Sequence, residues 1–306
     1  MSMKKISAEH LISSYDETHK PCAEVNLQEA FTIETHDRIP LFSIENKLTE
    51  NFKDRFNPIY SVTGPVCING TRPGDTLRID ILDIKLTRKG IICETPGRAG
   101  FGDKIKKART KIVDIDGSEI VFSEKIRVPA NPHIGKLATT PPGSPVSTAS
   151  PGPHGGNMDN KHLTTGASIF LPVFLAGALI SLGDLHAAMG DGESNSSGVE
   201  ATGEVTLICH LEKSLTVGQP LIVTPTEVQM MGYGKTLELA AKLALDQMAL
   251  LTSKTLQIDY LDAAMLISIS GDLHVCQIAN PLVGVRVSMA RELFAGSSWL
   301  PDSPFV

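Results

Sequence analysis

Polar residues able to bind a metal ion or to move protons crowd both ends of one apolar segment of this 306-residue chain. The segment runs from Ala167 to Gly183 without a charged residue. Carboxylates and imidazoles are the side chains that bind divalent metals and transfer protons near neutral pH. Their placement predicts a functional site at the rim of a hydrophobic core. The candidates are His154, Asn157, Asp159, His162, Asp184, His186, Asp191, Glu193 and Glu200.

The sharpest local pair is Asp184 and His186, two residues apart at the end of the apolar segment. On a strand, residues two apart project to the same face, so this carboxylate and imidazole can meet one metal ion or share one proton. The alternative is an Asp–His hydrogen bond that only closes a turn. The tetrapeptide Gly-Asp-Leu-His recurs at Gly271–His274, which we attribute to coincidence or to a similar strand end in preference to an internal duplication.

A second pair, Asn157 and Asp159, has the same spacing and follows two glycines that allow the backbone to approach a ligand closely. An Asx turn after a Pro-Gly loop is the alternative explanation. Oxygen ligands together with imidazole suit zinc, manganese or calcium better than a soft metal. We therefore predict a divalent metal, zinc first with calcium or manganese as alternatives, bound by Asp159, Asp184 and His186.

Catalytic and substrate-binding roles follow from the same residues. Glu200 stands where a β pattern resumes and is predicted to be the general base toward a water on the metal, with His186 in the catalytic set beside it. His154, Asn157 and Glu193 are predicted to bind the substrate, although a tight turn with solvated acids is the alternative for Glu193. The chain contains no Gly-x-Ser-x-Gly sequence, which disfavours that form of serine catalysis.

Composition excludes several classes of protein. With 42% hydrophobic and 20% charged residues, the chain can bury a sizeable core. A net charge of -6 argues against binding of nucleic acid or anionic lipid, which needs a basic face. The apolar segment falls short of about 20 residues and contains a proline, so we do not expect it to span a membrane. Five scattered cysteines without a C-x-x-C and a polar N-terminus indicate a cytoplasmic protein.

The pattern of short apolar runs separated by turn residues predicts a mainly β fold, a β-rich α+β protein with packed sheets in a sandwich or jelly-roll-like arrangement. Strand signals include Phe31–Thr35 and the long run Thr76–Leu86, and Asp116-Gly117 signals a hairpin. One prominent helix is predicted near 236–251, capped by Thr236. The Pro/Gly/Ser-rich stretch 139–156 is expected to be a long functional loop within a single domain, 1–306, with a domain linker as the alternative.

The chain resembles the acetamidase/formamidase family. The resemblance covers most of the chain in the family's order, and its central segment is the specific part. It rests on GPVCINGTRPGDTLRIDILDI at 64–84, SPGPHGGNMDNKHL at 150–163, IFLPVFLAGALISLGDLHAAMGDGE at 169–193, the following Gly-Val-Glu200, and GYGKTLELAAKLALDQM at 232–248.

The resemblance implies hydrolysis of a small linear carboxamide, such as formamide or acetamide, by a homodimer or higher homo-oligomer. It also adds Asp37 to the catalytic set and makes Asp191 a pocket residue. Two departures from the family stand out: Ser194-Asn195-Ser196 replaces Val-Cys-Gly, which removes a cysteine nucleophile, and Asp37-Arg38-Ile39-Pro40 replaces a small turn. A member of the same scaffold that binds small molecules or metal without this chemistry is therefore the alternative.

Overall fold

The computed structural model describes residues 3–36 and 60–301, and within them strands dominate, as predicted. Eighteen of the twenty described strands join into one hydrogen-bonded network, and β3 pairs separately with β12. The strands are β1 (Lys4–Ile6), β2 (Leu11–Ile12), β3 (Ser14–Tyr15), β4 (Ala23–Asn26), β5 (Ala30–Glu34), β6 (Val62–Asn69), β7 (Thr76–Glu94), β8 (Arg109–Asp116), β9 (Glu119–Val121), β10 (Arg127–Pro129), β11 (His133–Ala138), β12 (Val146–Ser147), β13 (Gly155–Asn157), β14 (Ser168–Pro172), β15 (Ile180–His186), β16 (Glu200–Glu212), β17 (Leu221–Val223), β18 (Glu227–Gly234), β19 (Gly271–Gln277) and β20 (Val283–Ala290).

The predicted strands and turns are found where the sequence placed them. Strand β7 extends the predicted run at 76–86 to 19 residues and pairs with β8, β14 and β16. The hairpin at Asp116-Gly117 connects β8 to β9, with Asp116 opposite Glu119. The apolar segment forms the buried strands β14 and β15 around a turn at Gly177, whose φ of 82° lies in the left-handed region that favours glycine.

The main core is formed by inward-facing side chains of β5, β6, β7, β15 and β16. It includes Phe31, Ile68, Ile79, Leu182 and Leu207, which are all fully buried. Burying one such side chain contributes about 1.5–3 kcal/mol, so these strands are held firmly. Because β15 carries the Asp–His pair at its end and is buried along its whole length, the site is built on one of the most deeply buried elements of the fold.

Two α-helices and a short 3-10 helix, Arg291–Phe294, are described, where the sequence predicted one prominent helix. Helix α1 (Leu237–Leu256) begins at Thr236, whose hydroxyl accepts a hydrogen bond from the Leu239 N–H, and it runs five residues beyond the predicted end. Helix α2 (Tyr260–Ser270) was missed because it buries only Ala263 and Ile267 and carries apolar residues around most of its circumference. Helix α1 packs against β18 and β20, α2 packs against α1, β19 and β20, and a second core forms there. Within the described ranges, neither helix is long and apolar enough to cross a membrane.

The stretch predicted as a long loop, 139–156, is more structured than expected. It contains β12 and the first two residues of β13, and Thr140 and Thr148 anchor it through hydrogen bonds to Leu179 and Tyr60 carbonyls. Only Pro142–Pro145 and Pro153 are exposed in this stretch. The chain therefore reaches Asn157 and Asp159 along an ordered and largely buried path.

Candidate active site

Five buried acid and imidazole side chains converge at one end of β15. Asp159, Asp184 and His186 offer one ligand atom each within 4.8 Å of one another, and so do His186, Glu193 and Glu200. Each of the five is less than a tenth exposed. The two groups of three share His186, so the five residues form one cluster, which we call the carboxylate cluster.

Strand register explains why residues far apart in the sequence meet. Strand β11 lies between β13 and β15, so that Lys136 stands opposite both Asn157 and Gly183. On its other side β15 pairs with β16, which places His186 beside Glu200. The turn carrying Glu193 is tied to the end of β19 by backbone hydrogen bonds between Gly192 and both Cys276 and Ile278. Four strands and one turn thus fix the carboxylate cluster.

The backbone is strained at the cluster. Asp159, Asp184 and Glu193 have φ angles of 44°, 61° and 44°, in the left-handed region that non-glycine residues rarely adopt. Each such residue costs about 1–3 kcal/mol, a cost that folds tolerate chiefly at functional sites. Opposite Asp184, Gly135 permits the close approach, since a Cβ there would lie 2.8 Å from the Asp184 carbonyl oxygen and 2.7 Å from Asp159 Oδ1.

Neighbouring groups orient His186. Its Nε2 lies 3.3 Å from Glu200 Oε1 and 3.7 Å from Asp184 Oδ1, and its Nδ1 lies 3.3 Å from His133 Nε2. His133 Nδ1 is 2.6 Å from the Asn131 carbonyl oxygen, which must accept its proton, so the neutral His133 Nε2 accepts from His186 Nδ1. Burial and the nearby His186 lower the pKa of His133 to about 3. Burial disfavours a charge on His186, but Glu200 and the other carboxylates outweigh it and raise its pKa to about 9.

Lys136 is a cluster residue that sequence reasoning missed. It is 1% exposed, and its Nζ lies 3.1 Å from Asp184 Oδ2 and 3.4 Å from the Tyr60 carbonyl oxygen. A buried lysine needs a charged partner, and Asp184 supplies one. The signal was available, because Lys136 is the only charged residue of β11, HIGKLA.

Asn280 is the second missed residue, and it holds the Asn157/Asp159 pair. Its Nδ2 donates to Asp159 Oδ2 at 2.6 Å and to the Asn157 carbonyl oxygen at 3.0 Å. Asn157 in return donates from its own Nδ2 to Asn280 Oδ1 at 2.8 Å. Nothing in the local sequence around Asn280 signals this role, because the contact joins positions 121 residues apart.

The predicted substrate-binding and pocket residues divide into two groups. Glu193 and Asn157 lie in or beside the cluster, whereas His154 packs edge-on against the Tyr15 ring, 5.1 Å away, outside the two ligand groups. Asp191 forms a bidentate salt bridge with Arg286 at 2.8 and 2.9 Å. His162 joins that separate network, since its Nε2 lies 3.5 Å from Arg286 Nη2, and Gln229 Nε2 lies 2.8 Å from its Nδ1. Asp37, with Arg38-Ile39-Pro40, lies outside the described residues.

Acidic groups outnumber cationic groups at the carboxylate cluster. It contains four carboxyl groups, while Lys136 and His186 are the cations beside them. Burial raises the pKa of Asp159 and of Glu193, and for Glu193 the Asp159 carboxylate adds to the effect. No described donor reaches Asp159 Oδ1 or Glu193 Oε2, both of which are inaccessible to solvent. A buried carboxylate oxygen without a donor requires either a proton or a cation beside it.

Comparison with known proteins places the chain in a family. The solved acetamidase of Bacillus halodurans is 37% identical, with a TM-score of 0.88, and the match covers 96% of this chain and 99% of that one. A predicted acetamidase/formamidase from Thermoanaerobacter tengcongensis is 32% identical, with a TM-score of 0.89, over 96% and 98% of the two chains.

More distant relatives are also named as acetamidases or formamidases. The acetamidase of Mycolicibacterium smegmatis is 28% identical over 209 residues, 48% of this chain and 52% of that protein. This chain spans about half the length of the curated relatives it matches. Residues 4–145 and 143–241 match the Acetamidase/Formamidase family, and the chain belongs to that family.

Proposed function

We propose that this protein hydrolyses the C–N bond of a small linear carboxamide, giving a carboxylate and ammonia. The observation that carries the proposal is the convergence of Asp159, Asp184, His186, Glu193 and Glu200 in one buried cluster. Membership of a family whose relatives include proteins named acetamidase and formamidase supports it.

The cluster suits a divalent cation, which Asp159, Asp184 and His186 would hold. Once His186 is neutral, as a ligand histidine must be, four carboxyl groups face one cationic side chain, Lys136, and a doubly charged ion would offset most of that deficit. The donor-free oxygen of Asp159 is available as a ligand, and His186 already directs Nδ1 toward His133, as metal-binding histidines direct their second nitrogen toward an acceptor. When bound, such an ion polarises an amide carbonyl and lowers the pKa of a water molecule to about 7.

Glu200 is the residue we propose as proton carrier. It lies beside His186 across the β15–β16 pairing and is buried, so its carboxylate is held in place at the cluster. It would take a proton from the attacking water as the C–O bond forms, then deliver that proton to the nitrogen as the C–N bond breaks. Asn157, whose Oδ1 receives no donor from the described residues, and Glu193 would orient the amide NH₂ group.

The test measures ammonia release from formamide, acetamide and longer linear amides. The protein is first depleted of metal and then supplied with zinc, manganese or calcium in turn. We expect turnover with at least one metal, and a fall in kcat of about 10²- to 10⁴-fold in Glu200→Gln. Glu204→Gln is the matched control, because Glu204 lies on the same strand but pairs with Lys5 near the surface.

Two outcomes would contradict the proposal. Turnover that persists in metal-depleted protein would exclude the metal's role. Absence of ammonia from every amide with every metal, with Glu200→Gln binding amides as tightly as the unaltered protein does, would instead indicate a small-molecule-binding member of the scaffold.

A further inference from the structure

An open pocket lies against one side of the carboxylate cluster. Its cavity volume is about 480 Å³, within the range of about 300–1,000 Å³ that ligand pockets occupy. Glu193 lines this pocket and also belongs to the cluster. Ser197 lines it as well, and its Oγ lies 3.4 Å from Glu200 Oε1. The pocket and the cluster are therefore bordered by the same residues, and we call this space the side pocket.

The chain leading into β16 forms the rest of the shared wall. Val199 lines the side pocket and is followed directly by Glu200 of the cluster. Because neighbouring residues of an extended chain project to opposite sides, Val199 faces the side pocket while Glu200 faces the cluster. Gly198 lies against the His186 ring, where a Cβ would be 3.1 Å from His186 Cγ. At this point the wall is one residue thick.

Apolar side chains surround the side pocket. Ile120 and Val199 are buried in its lining, whereas Phe101, Phe122 and Val128 are 55%, 39% and 42% exposed. Large apolar side chains that stay exposed around a concave space mark a binding site for an apolar group.

Polar groups in the lining already have partners. Asn131 and Asn195 each donate from Nδ2 to a backbone carbonyl oxygen, at 2.9 and 3.3 Å. The Ser197 hydroxyl donates to the Gly198 carbonyl oxygen at 2.7 Å. A ligand in the side pocket would therefore gain more from apolar contacts than from new hydrogen bonds.

We propose that the side pocket receives the acyl group of the substrate, and that this group is apolar and longer than acetyl. The inference rests on the proposed amide hydrolysis and names its substrate class, amides such as hexanamide or phenylacetamide. An amide group held beside Glu193 would direct its acyl chain into the side pocket. The acyl group of formamide or acetamide would leave that space to water, whereas a longer apolar chain would displace the water from the apolar lining.

The experiment measures kcat/KM by ammonia release from acetamide, butanamide, hexanamide and phenylacetamide, in protein supplied with the metal that supports turnover. Each buried methylene group contributes about fourfold, so we expect a rise of about 100-fold from acetamide to hexanamide. Val128→Trp places an indole ring in the side pocket and should lower the ratio of kcat/KM for hexanamide to that for acetamide at least about tenfold.

Ile112→Trp is the matched control. Ile112 is 52% exposed on β8 and is not among the residues that line the side pocket, so the ratio should stay within about twofold of the unaltered protein. Far-UV circular dichroism checks that both variants stay folded.

Binding without turnover separates this inference from the proposed hydrolysis. Acetamide and hexanamide are titrated calorimetrically into metal-supplied Glu200→Gln protein, with and without Val128→Trp. Tighter binding of hexanamide that is lost with Val128→Trp would support the side pocket even if no amide released ammonia, in which case the hydrolysis alone would fail. A fall in kcat/KM from acetamide to hexanamide, an unchanged ratio in Val128→Trp, or hexanamide binding no tighter than acetamide would each overturn the inference.

Discussion

Gly135→Ala tests whether close backbone packing positions the carboxylate cluster. The added Cβ would lie 2.7 Å from Asp159 Oδ1, 2.8 Å from the Asp184 carbonyl oxygen and 3.2 Å from His186 Cε1. The first two distances are shorter than real Cβ contacts allow. The Asp159 side chain can turn aside, but the Asp184 oxygen is backbone of a buried strand, so that second contact is relieved only if β11 shifts against β15.

The expected losses of activity and of stability follow from the size of that movement. Relief of the contact needs a shift of about half an ångström, and a misplacement of about 1 Å costs about 100-fold in rate, so we expect kcat/KM to fall about tenfold. Overpacking costs about 1–3 kcal/mol, partly offset by a gain of about 0.4–1 kcal/mol from the less flexible unfolded chain. The net expectation is a loss of about 1–2 kcal/mol in the free energy of unfolding.

Urea denaturation and the ammonia assay measure the two effects. Gly218→Ala is the control, because a Cβ there meets only the flexible end of Gln247, at 3.1 Å, beside α1. We expect its kcat/KM to match the unaltered protein. If Gly135→Ala kept kcat/KM within about twofold and stability within about 0.5 kcal/mol, the cluster would not depend on this contact, and our account of its strained backbone would be refuted.

Three further predictions concern charge. Lys136→Met leaves the buried Asp184 without its nearest cation and should lower the free energy of unfolding by about 3–5 kcal/mol in urea denaturation; a loss below about 1 kcal/mol would contradict the pairing. Asp191→Asn removes the partner of the buried Arg286 and should cost about 1.5–3 kcal/mol, with ammonia release retained at temperatures where the variant is folded; loss of activity there would instead place Asp191 in the site. Adding zinc at about 100 times its dissociation constant should stabilise metal-depleted protein by about 2.7 kcal/mol in thermal unfolding, and an unchanged Tm with every divalent metal would contradict the cation site.

The sequence predicted the class of fold because local patterns determine strands and hairpins. The run ending in Asp184-Leu-His186 is apolar over a length that suits two strands, and Asp116-Gly117 is a strong turn signal. Helix α2 escaped prediction because tertiary contacts decide it: only Ala263 and Ile267 are buried, with Leu266 partly so, and the amphipathic period that identifies a helix is therefore weak.

Most of the cluster was predictable for a different reason. Asp159, Asp184, His186, Glu193 and Glu200 stand within 42 positions of one another, at the ends of recognisable elements. The sequence could not supply the residues that reach the cluster from other strands. Strand register alone brings β11 between β13 and β15, and the β19–β20 connection brings Asn280 to Asp159.

The Asp184/His186 prediction was based on an extended strand, yet the structure reaches the same grouping by another route. Side chains two residues apart on a strand share a face only where the backbone between them alternates regularly. Asp184, at a φ of 61°, interrupts that alternation. Its carboxylate nonetheless lies 3.7 Å from His186 Nε2, because Gly135 leaves room for the distorted strand and Lys136 holds the other carboxylate oxygen. The supporting pair on β11 is therefore as much a condition of the site as the Asp–His motif itself, and substitutions at Gly135 and Lys136 should disturb the cluster without removing a single ligand.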